Sequence, residues 1–169
     1  RKAGPKFFDA DADAIFSHAE QDGATLWFVS YGGNIYRVSI AGETATLTEK
    51  IPLSAGVEGD WRPGGYQTHA YDAKTGILYV LMHPGGAEGS HKNPGEEIWA
   101  FDTKAKKVLA RSKTPPATSL TIAGGAKPAL FVVNPLEATI VRFDVADGGA
   151  VTEAKSAKVG EAVLQLEAK

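Results

Sequence analysis

The sequence predicts an all-β chain: about three four-stranded blades of a β-propeller, followed by one further strand. Three observations carry that reading. Apolar residues fall in short runs rich in Val, Ile, Phe, Tyr and Trp, broken by Gly, Asn, Asp or Pro, which marks strands rather than helices. Leu26, Leu78 and Leu130 recur at a spacing of 52 residues, each followed at once by an aromatic (Trp27, Tyr79, Phe131) and soon by valine. Four short strands repeated at about 50 residues form the pattern of propeller blades.

The first blade is expected over 15–51, with strands near 15–20, 25–31, 34–40 and 45–51. The segment leading into it, "DADADAIFSHAE", is the only stretch with a rival helical period. It places Asp9, Asp11, Asp13 and Glu20 at the ligand spacing of a calcium-binding EF-hand loop. Ala14 stands where that loop needs glycine for its sharp turn, and Gly4 and Pro5 leave no room for a flanking helix, so the acids read as a solvated link.

The second blade is expected over 66–113, with strands near 66–72, 77–83, 96–102 and 107–113. Its two middle strands are separated by the insertion "HPGGAEGSHKNPGE", His83 to Glu96, where the other units have tight turns. Loops of about 12 or more residues inside compact domains are usually functional or mobile. The third blade is expected over 118–157, with strands near 118–123, 129–134, 139–145 and 150–157, and "AVLQLEA" supplies a closing strand over 162–168. Three blades fall short of the ~4–8 of a closed ring. The expectation is therefore that further blades precede Arg1 and that the last strand completes a blade begun by the other terminus.

Bulk properties narrow the partners. A length of 169 residues suits one domain, and 43% apolar residues with a formal charge of −2 give no electrostatic basis for nucleic-acid binding. No apolar run reaches the ~18 residues of a membrane span, and no basic start followed by an apolar stretch forms a secretion signal. Cysteine is absent, which removes disulfides and thiolate metal sites. No GxSxG elbow or phosphate loop occurs, and "GGNIY" and "AGGAK" read as turn glycines. Glu96 and Glu97 alternate along a strand, so their carboxylates face opposite sides and do not act as a pair.

Two clusters stand out as candidate contact surfaces. In "EGDWRPGGYQTHAY" the residues Trp61, Arg62, Gly65 and Tyr66 set large aromatics and an arginine beside a glycine pair that permits close backbone approach. Such anchors commonly dominate protein interfaces. The plainer alternative is that Trp61 fills a gap between blades and Arg62 binds a carboxylate or carbonyl of the same chain. In the insertion, His83, His91 and Lys92 suggest an imidazole ligand or an electrostatic docking patch, against a loop merely tied down by its own hydrogen bonds. Two histidines without a third ligand make a poor zinc site.

The third unit, "LFVVN" then "TIVRFDVADGGAV" and "VGEAV", resembles the repeat of YVTN-type bacterial propellers. More narrowly, "FFDADADAIFSH", "GNIYRVSIAG", "GDWRPGGYQ" and "SHKNPGEEIWAFDTKAKK" occur in the order found in the C-terminal half of the heavy subunit of quinoprotein amine dehydrogenases, the methylamine and aromatic amine dehydrogenases. That resemblance runs over nearly the whole chain. It implies part of a seven-bladed, YVTN-like propeller in a periplasmic heterotetramer of two heavy and two light chains. The light subunit would carry tryptophan tryptophylquinone and the catalytic base, and a blue copper protein or cytochrome would accept the electrons. The heavy chain would hold no catalytic group or cofactor; Trp61, Arg62, Gly65, Tyr66, His91 and Lys92 become candidates for subunit contact. The rival expectation is a YVTN-type binding module with no associated activity. A self-contained hydrolytic propeller would need convergent carboxylates or a metal, which the sequence does not display.

Overall fold

A computed structural model describes residues 17–85 and 89–160; the link at 9–16 and the closing strand expected over 162–168 lie outside the described residues. The architecture is the expected all-β propeller type, with thirteen strands in three antiparallel sheets among the described residues. Sheet 1 runs β1 (Glu20–Asp22), β2 (Thr25–Val29), β3 (Asn34–Ala41) and β4 (Thr44–Pro52) in chain order. Sheet 2 pairs two short pieces, β5 (Trp61–Pro63) and β6 (His69–Asp72), with the same edge of β7 (Ile77–Pro84), followed by β8 (Gly95–Asp102) and β9 (Lys107–Ala117). Sheet 3 comprises β10 (Ser119–Ala123), β11 (Ala129–Asn134), β12 (Thr139–Val145) and β13 (Val151–Lys158). Among the described residues the one helical element is a 3-10 turn, Ser90–Lys92, in the β7–β8 insertion.

The first strand of the second unit differs from the expected 66–72. Trp61–Pro63, expected as loop, is a strand, and the stretch from Gly64 to Thr68 interrupts the edge. β9 also runs past the expected 113 to Ala117 through Pro115 and Pro116. An edge strand tolerates proline because its outward N–H groups have no ladder partner to lose.

The core lies between sheets. Side chains alternate along a strand, so Leu78, Val80 and Met82 of β7 and Trp99 and Phe101 of β8 face sheet 1, where they meet Trp27, Val29, Ile35, Ile51 and Leu53. Ile77, Tyr79, Leu81, Ile98 and Ala100 face sheet 3 and meet Leu120, Leu130, Val132, Val141 and Phe143. The 52-residue repeat has a packing cause: Leu78 and Leu130 are paired across the ladder with Phe101 and Phe143, and each pair lies on the sheet that precedes it. Leu26 pairs in the same way with Val38. A register shift precedes all three partners, between Arg37 and Val38, Ala100 and Phe101, and Arg142 and Phe143, so one bulge recurs in every sheet.

The first strands meet along the inner seam, β6 lying against both β1 and β10. There His18 stacks on His69 with centroids 4.0 Å apart, and its Nε2 donates to the His69 carbonyl at 3.0 Å. His69 is wholly buried. Its Nδ1 donates to the Gln67 carbonyl at 2.8 Å, while Nε2 lies 3.3 Å from the Trp27 carbonyl. Burial, then the neighbouring His18, pushes its pKa down to about 3 against the pull of the two carbonyls.

Leu81→Ala should lower unfolding free energy by about 2–5 kcal/mol, the range for emptying a packed leucine site, read from urea denaturation. The unfolded chain protonates His69 near its ordinary ~6.5 while the folded chain resists until about 3. The unfolded state therefore binds more protons in that window, and stability should decline as pH falls from about 6.5 toward 3. His69→Gln should flatten that slope, which urea midpoints measured across the window will test.

Candidate functional site

The interruption of the inner edge of sheet 2 is the most unusual local feature. Pro63 is paired with Met82 and His69 with Val80, so Leu81 alone stands opposite the stretch from Gly64 to Thr68. The Gly64 N–H donates to the Leu81 carbonyl at 2.9 Å, and the Leu81 N–H donates to the Thr68 carbonyl at 3.2 Å. The ladder is thereby closed at both ends, and Gly65, Tyr66 and Gln67 are pushed out of it. All three are left-handed, with φ of 56, 60 and 58°, and the Thr68 N–H donates back to the Gly64 carbonyl at 3.3 Å. This is one turn of left-handed helix, a conformation costing roughly 1–2 kcal/mol for each residue with a Cβ.

The turn is held by the β7–β8 insertion. The Gly65 N–H donates to the Asn93 carbonyl at 2.7 Å, and the Tyr66 N–H to the His91 carbonyl at 2.8 Å. The His91 ring stands edge-on to Tyr31 at 5.0 Å and to Tyr66 at 6.1 Å. The Tyr31 hydroxyl accepts the Gly89 N–H at 3.0 Å, fastening the start of the 3-10 turn. Gly64 is sterically required, and Gly65 sits in a tight approach on a left-handed backbone. A Cβ on Gly64 would lie 2.8 Å from the Asn93 carbonyl oxygen, and one on Gly65 would lie 3.1 Å from the Thr118 backbone.

The two candidate clusters therefore meet, but their members do different things. Tyr66 is 53% exposed, and Lys92 beside it is exposed too. Arg62 donates to the Gly32 carbonyl at 3.1 Å and pairs with Asp60 at 3.2 Å, so it ties the turn region to sheet 1. Trp61 lies 5.5 Å from Trp99, with the Arg111 guanidinium 4.5 Å above its ring. Arg111 and the Trp99 indole N–H both donate to Glu97 at 2.7 Å. Burial alone would raise the Glu97 carboxyl, but Arg111, Trp99 and Lys113 together hold it below the usual range. His83 is buried, and its Nδ1 donates to the Pro84 carbonyl at 2.8 Å. Among the described residues no three metal-ligating side chains come together, and no helix is long and apolar enough to cross a membrane.

Sequence reasoning missed Tyr31 and Asn93. Tyr31 opens the "YGGN" turn of sheet 1, and its role depends on a tertiary meeting that no local pattern encodes. Asn93 acts through its main-chain carbonyl, which leaves no trace in residue type.

Sheets packed side by side around a shared inner seam define a sector of a β-propeller, and solved propellers superpose on it. The periplasmic gluconolactonase of Pseudomonas aeruginosa does so with a TM-score of 0.58 at 17% identity, over 86% of this chain and 40% of that one. The WD40 repeats of RRP9 do so with a TM-score of 0.56 at 10% identity, over 84% of this chain and 38% of that one. These likenesses speak to fold alone. The sequence goes further: residues 3–165 match the methylamine dehydrogenase heavy chain family, and the chain belongs to it. The heavy chain of Methylophilus methylotrophus is 25% identical over 152 residues, 87% of this chain and 37% of that protein. That of Methylorubrum extorquens is 22% identical over 165 residues, 94% of this chain and 40% of that protein. The chain thus spans about two fifths of the length of these curated relatives.

Gly65→Ala combines a left-handed backbone with the 3.1 Å approach to Thr118. It should lower stability by about 1–3 kcal/mol. It should also speed hydrogen exchange at the Tyr66 and Thr68 amides, whereas Gly42→Ala, a left-handed turn glycine with open space around it, should leave those amides unchanged.

Proposed function

We propose that this chain acts as part of a non-catalytic heavy subunit of a methylamine dehydrogenase-type enzyme. In this reading it seats a light subunit that carries tryptophan tryptophylquinone and oxidatively deaminates primary amines in the periplasm. Electrons would then pass to a blue copper protein or cytochrome. Family membership over residues 3–165 is the observation that carries the reading.

The part played by this chain's own residues is mechanical. The left-handed turn lifts Tyr66 out of the sheet edge, His91 and Tyr31 buttress it from behind, and Lys92 adds a positive charge beside it. Tyrosine suits such an anchor because it buries a large rigid ring at little entropic cost and keeps a hydroxyl for a polar partner. Gly65 permits the turn, while Trp61 and Arg62 brace its root. Strain retained at an exposed turn is characteristic of sites whose geometry serves a contact. The two-heavy, two-light stoichiometry belongs to the same proposal.

In the full-length heavy chain co-expressed with its light chain, Tyr66→Gly should separate two quantities. Glycine relieves the left-handed strain, so stability should rise or stay level. Loss of the anchor should weaken light-chain association by at least about 2 kcal/mol, as for interface hot spots. Undiminished co-purification and affinity would remove Tyr66 from the interface.

A further inference from the structure

Sheet 2 and the β7–β8 insertion, with Leu136 of the third unit, line an open cleft of about 590 Å³ at the end of the molecule that carries the left-handed turn. Its volume falls within the roughly 300–1,000 Å³ typical of small-molecule pockets. Trp61, Pro84, Pro94, Pro116 and Leu136 give it apolar walls. Leu136, at the β11–β12 hairpin, is 75% exposed.

Two of the residues lining the cleft carry buried polar atoms without a partner, His83 Nε2 and Thr114 Oγ1. His83 is only 2% exposed. A carbonyl oxygen can only accept, so the contact from Nδ1 to the Pro84 carbonyl fixes the ring hydrogen on Nδ1. In the neutral ring Nε2 is then a bare acceptor. A buried acceptor left unmatched is destabilising, and a ligand donor at that point would recover the loss.

The charges on the lining set the ligand's charge. Glu97 is already bonded to Arg111 and Trp99. Glu96 and Lys113 carry opposite signs and both line the cleft, so no net charge is left to match. Proline rings and an indole offer flat apolar faces, against which a planar ring packs best.

We infer that this cleft binds a small, uncharged aromatic molecule bearing one N–H or O–H donor, with the donor on His83 Nε2 and the ring between Trp61 and the prolines. Thr114 Oγ1, able to give or accept a hydrogen bond, serves a second polar group on larger members of the class. The cleft shares Trp61 with the base of the turn proposed to seat the light chain, but ligand binding to the chain without a light subunit is read separately from light-chain association, so either reading can fail alone.

Indole and 1-methylindole test it, titrated into the chain alone by calorimetry and by NMR of ¹⁵N-labelled histidine side chains. Indole is expected to bind at least ten-fold more tightly than its methylated analogue and to shift the His83 Nε2 resonance. A site built around a hydrogen bond discriminates strongly against an analogue lacking it. His83→Phe should bring the two probes to equal affinity, and Leu136→Glu on the rim should weaken both. Equal affinities for the wild-type chain, no binding of either probe, or an unmoved His83 Nε2 resonance at saturating indole would each overturn the assignment. All three readouts use the unmodified chain and so stand even if His83→Phe fails to fold.

Discussion

Burial of the middle sheet on both of its faces is the constraint on which the rest of the structure depends. Every residue of β7 from Ile77 to His83 is buried, and alternate side chains are committed to different neighbours. A slip of one residue would exchange the two sets and place Tyr79 where Val80 fits. Position along β7 is therefore fixed, and Leu81 with it. Its side chain is backed by Gly95, where a Cβ would come within 2.7 Å of the leucine's own Cβ. Its main-chain groups grip Gly64 and Thr68. The extruded turn thus stands on a residue whose place is set by the packing of two sheets.

The repeat was legible because its cause is packing between sheets. Leucine on the second strand of sheets 2 and 3 and the phenylalanine opposite it on the third must meet the sheet before, and the spacing of Leu78 and Leu130 records that demand. The inner edge was less legible. Trp61-Arg62-Pro63 is followed by a glycine pair and reads as a turn, yet Met82, His83 and Pro84 supply a ladder that draws it into strand. Context of this kind outweighs strand propensity. The glycine pair did point to close backbone approach. It could not reveal that Tyr66 and Gln67, neither of them a residue that favours positive φ, would follow Gly65 into the left-handed region. Carbonyls of His91 and Asn93, some 25 residues away in the chain, impose that conformation.

The same end of the molecule divides into a braced part and a presented part. Arg111 lies over both Trp61 and Trp99 and is fixed by Glu97, forming a compact web of cation–π and charged hydrogen bonds. Arg62 carries the bracing across to the Gly32 carbonyl. Against this rigid base Tyr66, Lys92 and Leu136 face outward. Rigid support under a small number of exposed side chains is the arrangement that lowers the entropy lost when a surface is covered.

The left-handed turn also limits what mutation can write at this point of the gene. A branched carbon next to the main chain clashes in that backbone region, so Val, Ile and Thr are shut out at positions 66 and 67, while Asn, Asp and Gly enter easily. Drift there is confined to a narrow alphabet by the backbone itself, whatever the side chains touch. Across descendants of this chain, a branched residue at either position would mark a lineage in which the excursion from the sheet edge has been lost.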